Sequence, residues 1–197
     1  LSKDELINIE KKGQIFVISA PSGCGKTTLS KMLTDEFPSV VRSISFTTRE
    51  KREDEINGKD YFFITQEQFK NKIEQNNFLE YATVFDEKYG TSKSFVEERL
   101  NEKKQVIFVI DVQGVHALQQ KKVSATYIFI MPTSIEVLKE RLQKRNMDSE
   151  KEIEKRLSKA KEEMSFSKNY DYIIINDDLK IAYKELRTII IAQTHSD

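Results

Sequence analysis

The sequence predicts an α/β fold: a parallel sheet flanked by helices, interrupted by a small α+β insertion. Three observations lead there. Four short runs, Ile15–Ser19 and residues 106–110, 127–131 and 172–175, are nearly continuous in apolar, β-branched or aromatic residues. Strands buried on both faces of a parallel sheet read this way. Helical patterns over residues 26–37, 94–103, 134–144, 150–167 and 179–194 lie between or after them, and this alternation implies right-handed crossovers. The interval 45–90 breaks the rhythm. It is polar and aromatic, with extended pieces at 43–47, 61–64 and 80–85 around one helix at 66–76. A second interruption, 145–152, separates two helical patterns, and Ser149-x-x-Glu152 has the spacing of a capping box for the second.

Bulk composition bounds the function. The 197 residues suffice for one hydrophobic core with a small appended unit. Lysine plus arginine equals aspartate plus glutamate at 32 each, so no net field draws the chain toward nucleic acid or membrane. An anion site must then come from local arrangement. A lone cysteine, Cys24, excludes an internal disulfide framework and a multi-cysteine metal site. No apolar run approaches the roughly 20 residues of a membrane helix. Residues 1–12 are charged and lack the apolar core of a signal peptide, so the cytoplasm is the expected compartment.

The chemistry starts at the first strand. After Ile15–Ser19 comes Ala20-Pro21-Ser22-Gly23-Cys24-Gly25-Lys26-Thr27-Thr28, then a helical run. This matches G-x-x-x-x-G-K-[ST] at every fixed position but the first, where Ala20 replaces glycine. Gly23 and Gly25 permit backbone angles closed to other residues, so successive N–H groups turn inward on one anion. The helix beginning at Lys26 adds its positive end. In such a P-loop, Lys26 reaches the β- and γ-phosphates of ATP and the Thr27 hydroxyl ligates magnesium. An ordinary glycine turn would account for Gly23 and Gly25 alone. The buried-type strand before and Lys-Thr directly after favour the phosphate cradle. Cys24 reads as a variable loop position rather than a nucleophile.

The run at 106–110 ends in Asp111. Two readings stand for it: a magnesium-holding carboxylate beside the P-loop, or the N-cap of a following helix. The P-loop favours the first.

Three clusters in the insertion point to a nucleotide acceptor. Ser45-Phe-Thr-Thr-Arg49-Glu-Lys-Arg52 sets two guanidinium groups three residues apart. Their planar fork suits a phosphate monoester. Asn57-Gly-Lys-Asp-Tyr61 and Tyr89-Gly90-Thr91 each supply a phenol for phosphate oxygens. Phe78-Leu79-Glu80-Tyr81 supplies a carboxylate, the acceptor that the two N–H groups on the guanine edge require. Singly, these clusters would pass for a solvated basic face, half-buried tyrosines and a surface carboxylate. Their co-occurrence beside a P-loop is what points to an acceptor site.

With these stretches the sequence resembles guanylate kinase over nearly its whole length; Ile-Asp-Val-Gln-Gly at 110–114 and Asn-Asp-Asp-Leu at 176–179 also match. The resemblance implies a P-loop NTPase-type core of residues 1–44, 92–138 and 157–197. It also implies a GMP-binding domain at 45–91 and a helical lid at 139–156. It implies Ser45, Glu80 and Thr91 at the guanine base with Asp111 nearby, and Arg49, Arg52, Tyr61 and Tyr89 at the GMP phosphate. Arg141, Arg145 and Arg156 would be lid arginines, and Asn176 would touch adenine. Arg141 and Arg145, four apart, share a helix face, where pairing with residues such as Glu140 is the alternative. The implied substrates are GMP and ATP, with magnesium.

The chain departs from the family pattern twice. Ala20 replaces the first loop glycine, and Val109 stands where an Asp-x-Asp pair often has its first aspartate, leaving Asp111 alone. Two rivals share the resemblance: a kinase for another nucleoside monophosphate, and a non-catalytic module of the same fold that binds phosphopeptides. Glu80 with Ser45 opposes the first. Lys26, Thr27 and the lid arginines oppose the second.

Overall fold

The computed structural model describes residues 13–84, 86–144 and 149–195. In chain order the elements begin with Ile15–Ser19 (β1), Lys26–Glu36 (α1), Val40–Arg42 (β2), Phe46–Thr47 (β3), Phe62–Phe63 (β4) and Gln66–Glu74 (α2). Phe78–Val84 (β5), Glu87–Ser92 (β6), Lys93–Asn101 (α3), Gln105–Val109 (β7) and Val112–Gln120 (α4) follow. Thr126–Met131 (β8), Ile135–Lys144 (α5), Glu150–Ser165 (α6), Tyr172–Ile175 (β9) and Leu179–His195 (α7) complete the chain.

The main sheet is parallel, in the order β2-β7-β1-β8-β9. β1 is its centre, with Ile15 opposite Val106 and Phe16 opposite Thr126. Phe16 and Ile18 pack into one core cluster with Leu29 and Leu33 of α1 and Leu186 and Ile190 of α7. Val17, Val106 and Phe108 pack into a second with Val96 of α3 and Val115 and Leu118 of α4. Both faces of the strand are therefore buried, which is why its sequence shows no polar alternation.

A second sheet, in the order β4-β3-β6-β5, is built from the insertion. α2 is held against it by Phe69, whose ring centroid lies 4.6 Å from that of Phe78. Thr65 and Gln68 form a capping box at the start of α2, as Ser149 and Glu152 do at the start of α6.

The expected α/β architecture is present, with differences in particular elements. Helix α4 is an addition: Gly114 and two valines weaken its local propensity, but burial of Val115 and Leu118 against the sheet overrides that. Strand β6 is too polar to read as a buried run; it stands because its backbone pairs with both β3 and β5. β2 has only three residues, too few to show a period. The last pattern before β9 ends at Ser165 rather than 167, because the chain tightens into a 3-10 turn over Ser167–Asn169. Among the described residues no helix is long and apolar enough to cross a membrane.

Candidate active site

The loop between β1 and α1 turns on two left-handed glycines, Gly23 at φ 91° and Gly25 at φ 88°. A methyl group on Gly25 would meet the Asn176 side-chain nitrogen at 2.6 Å, so this position needs glycine for space as well as for angle. Gly25 leads directly into α1, whose first-turn N–H groups face the loop. Lys26 folds back on the loop: its ammonium donates to the carbonyl oxygen of Ala20 and, at 3.2 Å, to that of Pro21. Burial pushes the Lys26 pKa down, while the charges of Glu163, Cys24 and Asp111 oppose the shift. Cys24 is buried, so its thiol is not presented as a nucleophile.

Asn176 follows β9 and donates its side-chain N–H to the Cys24 carbonyl at 2.9 Å. Arg141 of α5 donates to the carbonyl oxygens of Asn176 at 2.9 Å and Asp177 at 3.3 Å. A cleft of about 300 Å³, lined by Gly23, Gly25, Arg141, Lys144, Asn176, Asp177 and Leu179, opens there on the outer side of the loop.

On the inner side, the second sheet faces the loop. Glu80 on β5 is 3% exposed and accepts a hydrogen bond of 2.6 Å from the Thr91 hydroxyl on β6. Burial pushes its pKa up to about 7, against the Thr91 hydrogen bond and with the help of the Asp111 charge. The first turn of α4 covers this carboxylate: a methyl group on Gly114 would sit 2.9 Å from Glu80 Oε2.

Arg49 follows β3, and Glu55 holds its guanidinium in place at 2.6 Å. The other Glu55 oxygen accepts from the Arg52 backbone N–H at 2.9 Å. The Arg49 guanidinium also lies 5.5 Å from the centre of the Tyr61 ring, and Tyr61 meets Tyr89 edge-on at 5.9 Å. Partial burial disfavours the Arg49 charge, but Glu55 outweighs that and raises its pKa. A cleft of about 510 Å³ lined by Arg42, Arg49, Arg52, Tyr61 and Tyr89 runs to Thr27 on one side and to Lys155 and Arg156 of α6 on the other.

A connecting cavity of about 310 Å³ joins the two halves. Ala20, Ser22, Lys26 and Thr27 line it from the loop and the start of α1; Ser45, Arg52, Tyr61, Glu80 and Tyr89 from the insertion; Asp111 from the start of α4 and Arg156 from α6. Most of the expected site residues thus converge on one space. Thr91 lies behind Glu80, fully buried, and Pro21 is buried within the loop. Thr28 is exposed on the first turn of α1 and does not line the cavity. Arg145 lies outside the described residues.

Asp111 is the N-cap of α4. Its Oδ1 caps α4 by accepting from the Gly114 N–H at 3.0 Å, whereas its Oδ2 is buried without a hydrogen-bond partner. Val109, two residues earlier at the end of β7, is apolar and packs on the core. A second carboxylate comes instead from α6, where Glu163 lines the same cavity. Burial pushes the Glu163 pKa up, and Lys26 and Lys159 oppose the shift.

Sequence reasoning missed Glu55, Gly114, Lys159 and Glu163. Gly114 lies three residues after Asp111, in the same Ile-Asp-Val-Gln-Gly stretch. Glu55 follows Arg52 by three residues, and Lys159 and Glu163 lie three and seven residues after Arg156, the period of one helix face.

The loop with Lys26, the guanidinium groups of Arg49 and Arg52, and the buried Glu80 carboxylate thus border connected cavities. The guanylate kinase family model matches residues 12–193. A guanylate kinase of Protochlamydia amoebophila is 52% identical over 187 residues, covering 94% of this chain and 94% of that protein. One from Caldanaerobacter subterraneus is 44% identical, covering 95% and 91% respectively. The crystal structure of guanylate kinase from Anaplasma phagocytophilum superimposes with a TM-score of 0.79 at 31% identity, over 94% of this chain and 88% of that one. By sequence and by fold, the chain belongs to the guanylate kinase family.

Proposed function

We propose that this protein transfers the γ-phosphate of ATP to GMP, giving ADP and GDP. Buried Glu80 carries the acceptor's identity: it lines the cavity into which the P-loop opens, and its carboxylate suits the guanine N1–H and N2–H pair. Ser45 shares that end of the cavity, and Thr91 orients the carboxylate from behind. Residues 45–91 then form the GMP-binding domain, 139–156 the lid and the remainder the P-loop core.

The acceptor is already an anionic phosphate oxygen, so no general base is needed. Catalysis is positioning and charge stabilisation in one in-line displacement. The loop N–H groups and Lys26 hold the β- and γ-phosphates of ATP, and Lys26 leaves the Ala20 and Pro21 carbonyls to do so. Arg49, pre-set by Glu55, and Arg52 hold the GMP phosphate with Tyr61 and Tyr89. Arg156 enters from α6 over the transferring group, and Arg141 with Asn176 borders the cleft beside the loop that suits the adenine. Closure of the lid and GMP domain excludes water, which would otherwise accept the phosphate.

A magnesium ion fits this site: the orphaned Asp111 Oδ2 and the Thr27 hydroxyl are oxygen ligands on the same cavity. When bound, it would neutralise charge on the β- and γ-phosphates.

A coupled ADP-release assay over a panel of nucleoside monophosphates, with and without magnesium, tests the proposal. GMP should be strongly preferred. ADP release that is independent of GMP, or faster with AMP or a pyrimidine nucleotide, would overturn it.

A further inference from the structure

Between two of the three carboxylates that line the transfer cavity, Asp111 and Glu163, stands a lysine. The Lys159 ammonium is 3.9 Å from Asp111 Oδ2 and 3.7 Å from Glu163 Oε1. It therefore ties the end of β7 to α6. Arg156, Lys159 and Glu163 fall three and four residues apart, so α6 turns one charged stripe toward the cavity they all line.

The distances matter. Both ion pairs are longer than a charge-assisted hydrogen bond, at about 2.7–2.9 Å. Asp111 Oδ2 accordingly has no hydrogen bond, although it is buried. Lys159 compensates the two charges without saturating either, and its side chain remains 23% exposed on the cavity wall. Without the ammonium, two carboxylates would face one another across a cavity open to ions. Oxygen ligands of that kind attract hard divalent cations. Among the described residues no group of three or more acidic, histidine or cysteine side chains is placed to hold a metal. Of the carboxylates lining the cavity, Asp111 and Glu163 are the two within ion-pair distance of Lys159.

We infer that Lys159 is the internal counter-ion of the transfer site, a positioning residue that compensates Asp111 and Glu163 in the empty cleft. It keeps a free divalent cation off Asp111 until the nucleotide brings one. The first half rests on the geometry alone; only the release of Asp111 to a metal–nucleotide complex rests on the phosphotransfer proposed above. The lysine also explains how a cavity holding Asp111 and Glu163 admits polyanionic substrates: the carboxylates are offset before the phosphates arrive.

The test uses Mn²⁺ alone, titrated into the nucleotide-free full chain and followed by the electron paramagnetic resonance of the free ion. Lys159→Met should bind Mn²⁺ about tenfold or more tightly than the parent, because an internal competing cation is gone. Lys159→Arg, which keeps the charge, should match the parent. Adding Asp111→Asn to Lys159→Met should abolish the gain. Equal affinity of the parent and Lys159→Met would overturn the inference, as would a gain that survives Asp111→Asn. Circular dichroism checks folding; if Lys159→Met is unfolded, Lys159→Gln replaces it with the same expectation. GMP-dependent ADP release by the parent is measured separately, so a failed phosphotransfer reading leaves the Mn²⁺ result standing.

Discussion

Thr91 donates its hydroxyl hydrogen to Glu80 across 2.6 Å, and both residues are buried. That bond aims one carboxylate oxygen while the other lies under Gly114. It does not fully offset the desolvation, and burial leaves the Glu80 pKa at about 7. Several properties of the enzyme turn on that balance.

In the proposed function the Glu80 carboxylate reads guanine, so its protonation should oppose GMP binding. With a pKa of about 7, the KM for GMP should be flat above neutrality and rise below it, approaching tenfold per pH unit. The GMP phosphate contributes as well, since its second pKa is near 6. Glu80→Gln separates the two: it keeps the phosphate's dependence, loses the component centred near 7, and loses selectivity for guanine over other bases. A parent profile no different from that of Glu80→Gln would refute the role.

The same carboxylate burdens the empty fold. Its pKa is raised on folding from the ordinary 4.5 to about 7, so the folded state holds the proton more tightly. Stability attributable to Glu80 is therefore intact below pH 4.5 and falls as pH rises to 7. Glu80→Gln should stabilise the ligand-free protein at pH 8 by up to about 3 kcal/mol, and the gain should vanish toward pH 4.5. Denaturant unfolding of both proteins at the two pH values measures this. A less stable variant at pH 8 would contradict it.

In the proposed mechanism, Lys26→Ala removes the cation at the transferring phosphate. Turnover should fall by about two to three orders of magnitude or more. The fold should persist, because the lysine's own burial disfavours its charge and the hydrogen bonds it gives up go to loop carbonyls. Steady-state kinetics beside far-ultraviolet circular dichroism provide the check; an active variant would remove the P-loop assignment.

Arg49→Ala should raise the KM for GMP by roughly 10- to 100-fold, the worth of a charged hydrogen bond, and slow transfer. Glu55→Gln should do the same more weakly, since it loosens the guanidinium without removing it. The KM for ATP should hold in both. Unchanged GMP kinetics in Arg49→Ala would show that the acceptor phosphate lies elsewhere.

Gly114→Ala pits stability against function. Alanine in place of glycine within a helix is worth about 1 kcal/mol to the fold. The added methyl, however, falls 2.9 Å from Glu80 Oε2 and must displace it. The expected result is a raised KM for GMP in a protein that stays folded, read by GMP titration and thermal unfolding. Parent-like affinity would mean that the carboxylate has room to move.

The sequence by itself determined whatever depends on neighbours along the chain. β1, the P-loop glycines, Lys26 and the start of α1 form one continuous segment whose geometry follows from residue type and spacing. Ser149 and Glu152 cap α6 across three residues, and Arg49 and Arg52 stand three residues apart in the insertion. The tertiary structure alone decided what depends on distant segments meeting. Strand β6 forms because β3 and β5 flank it, and α4 because the sheet covers its valine and leucine. Asn176 reaches the P-loop from 152 residues away, and Glu80 shelters under a glycine of another helix. The carboxylate that Val109 does not provide enters from α6, brought there with Lys159 by packing that no local pattern encodes. Backbone angles and caps are short-range properties of a chain, whereas burial and charge compensation arise only where its parts converge.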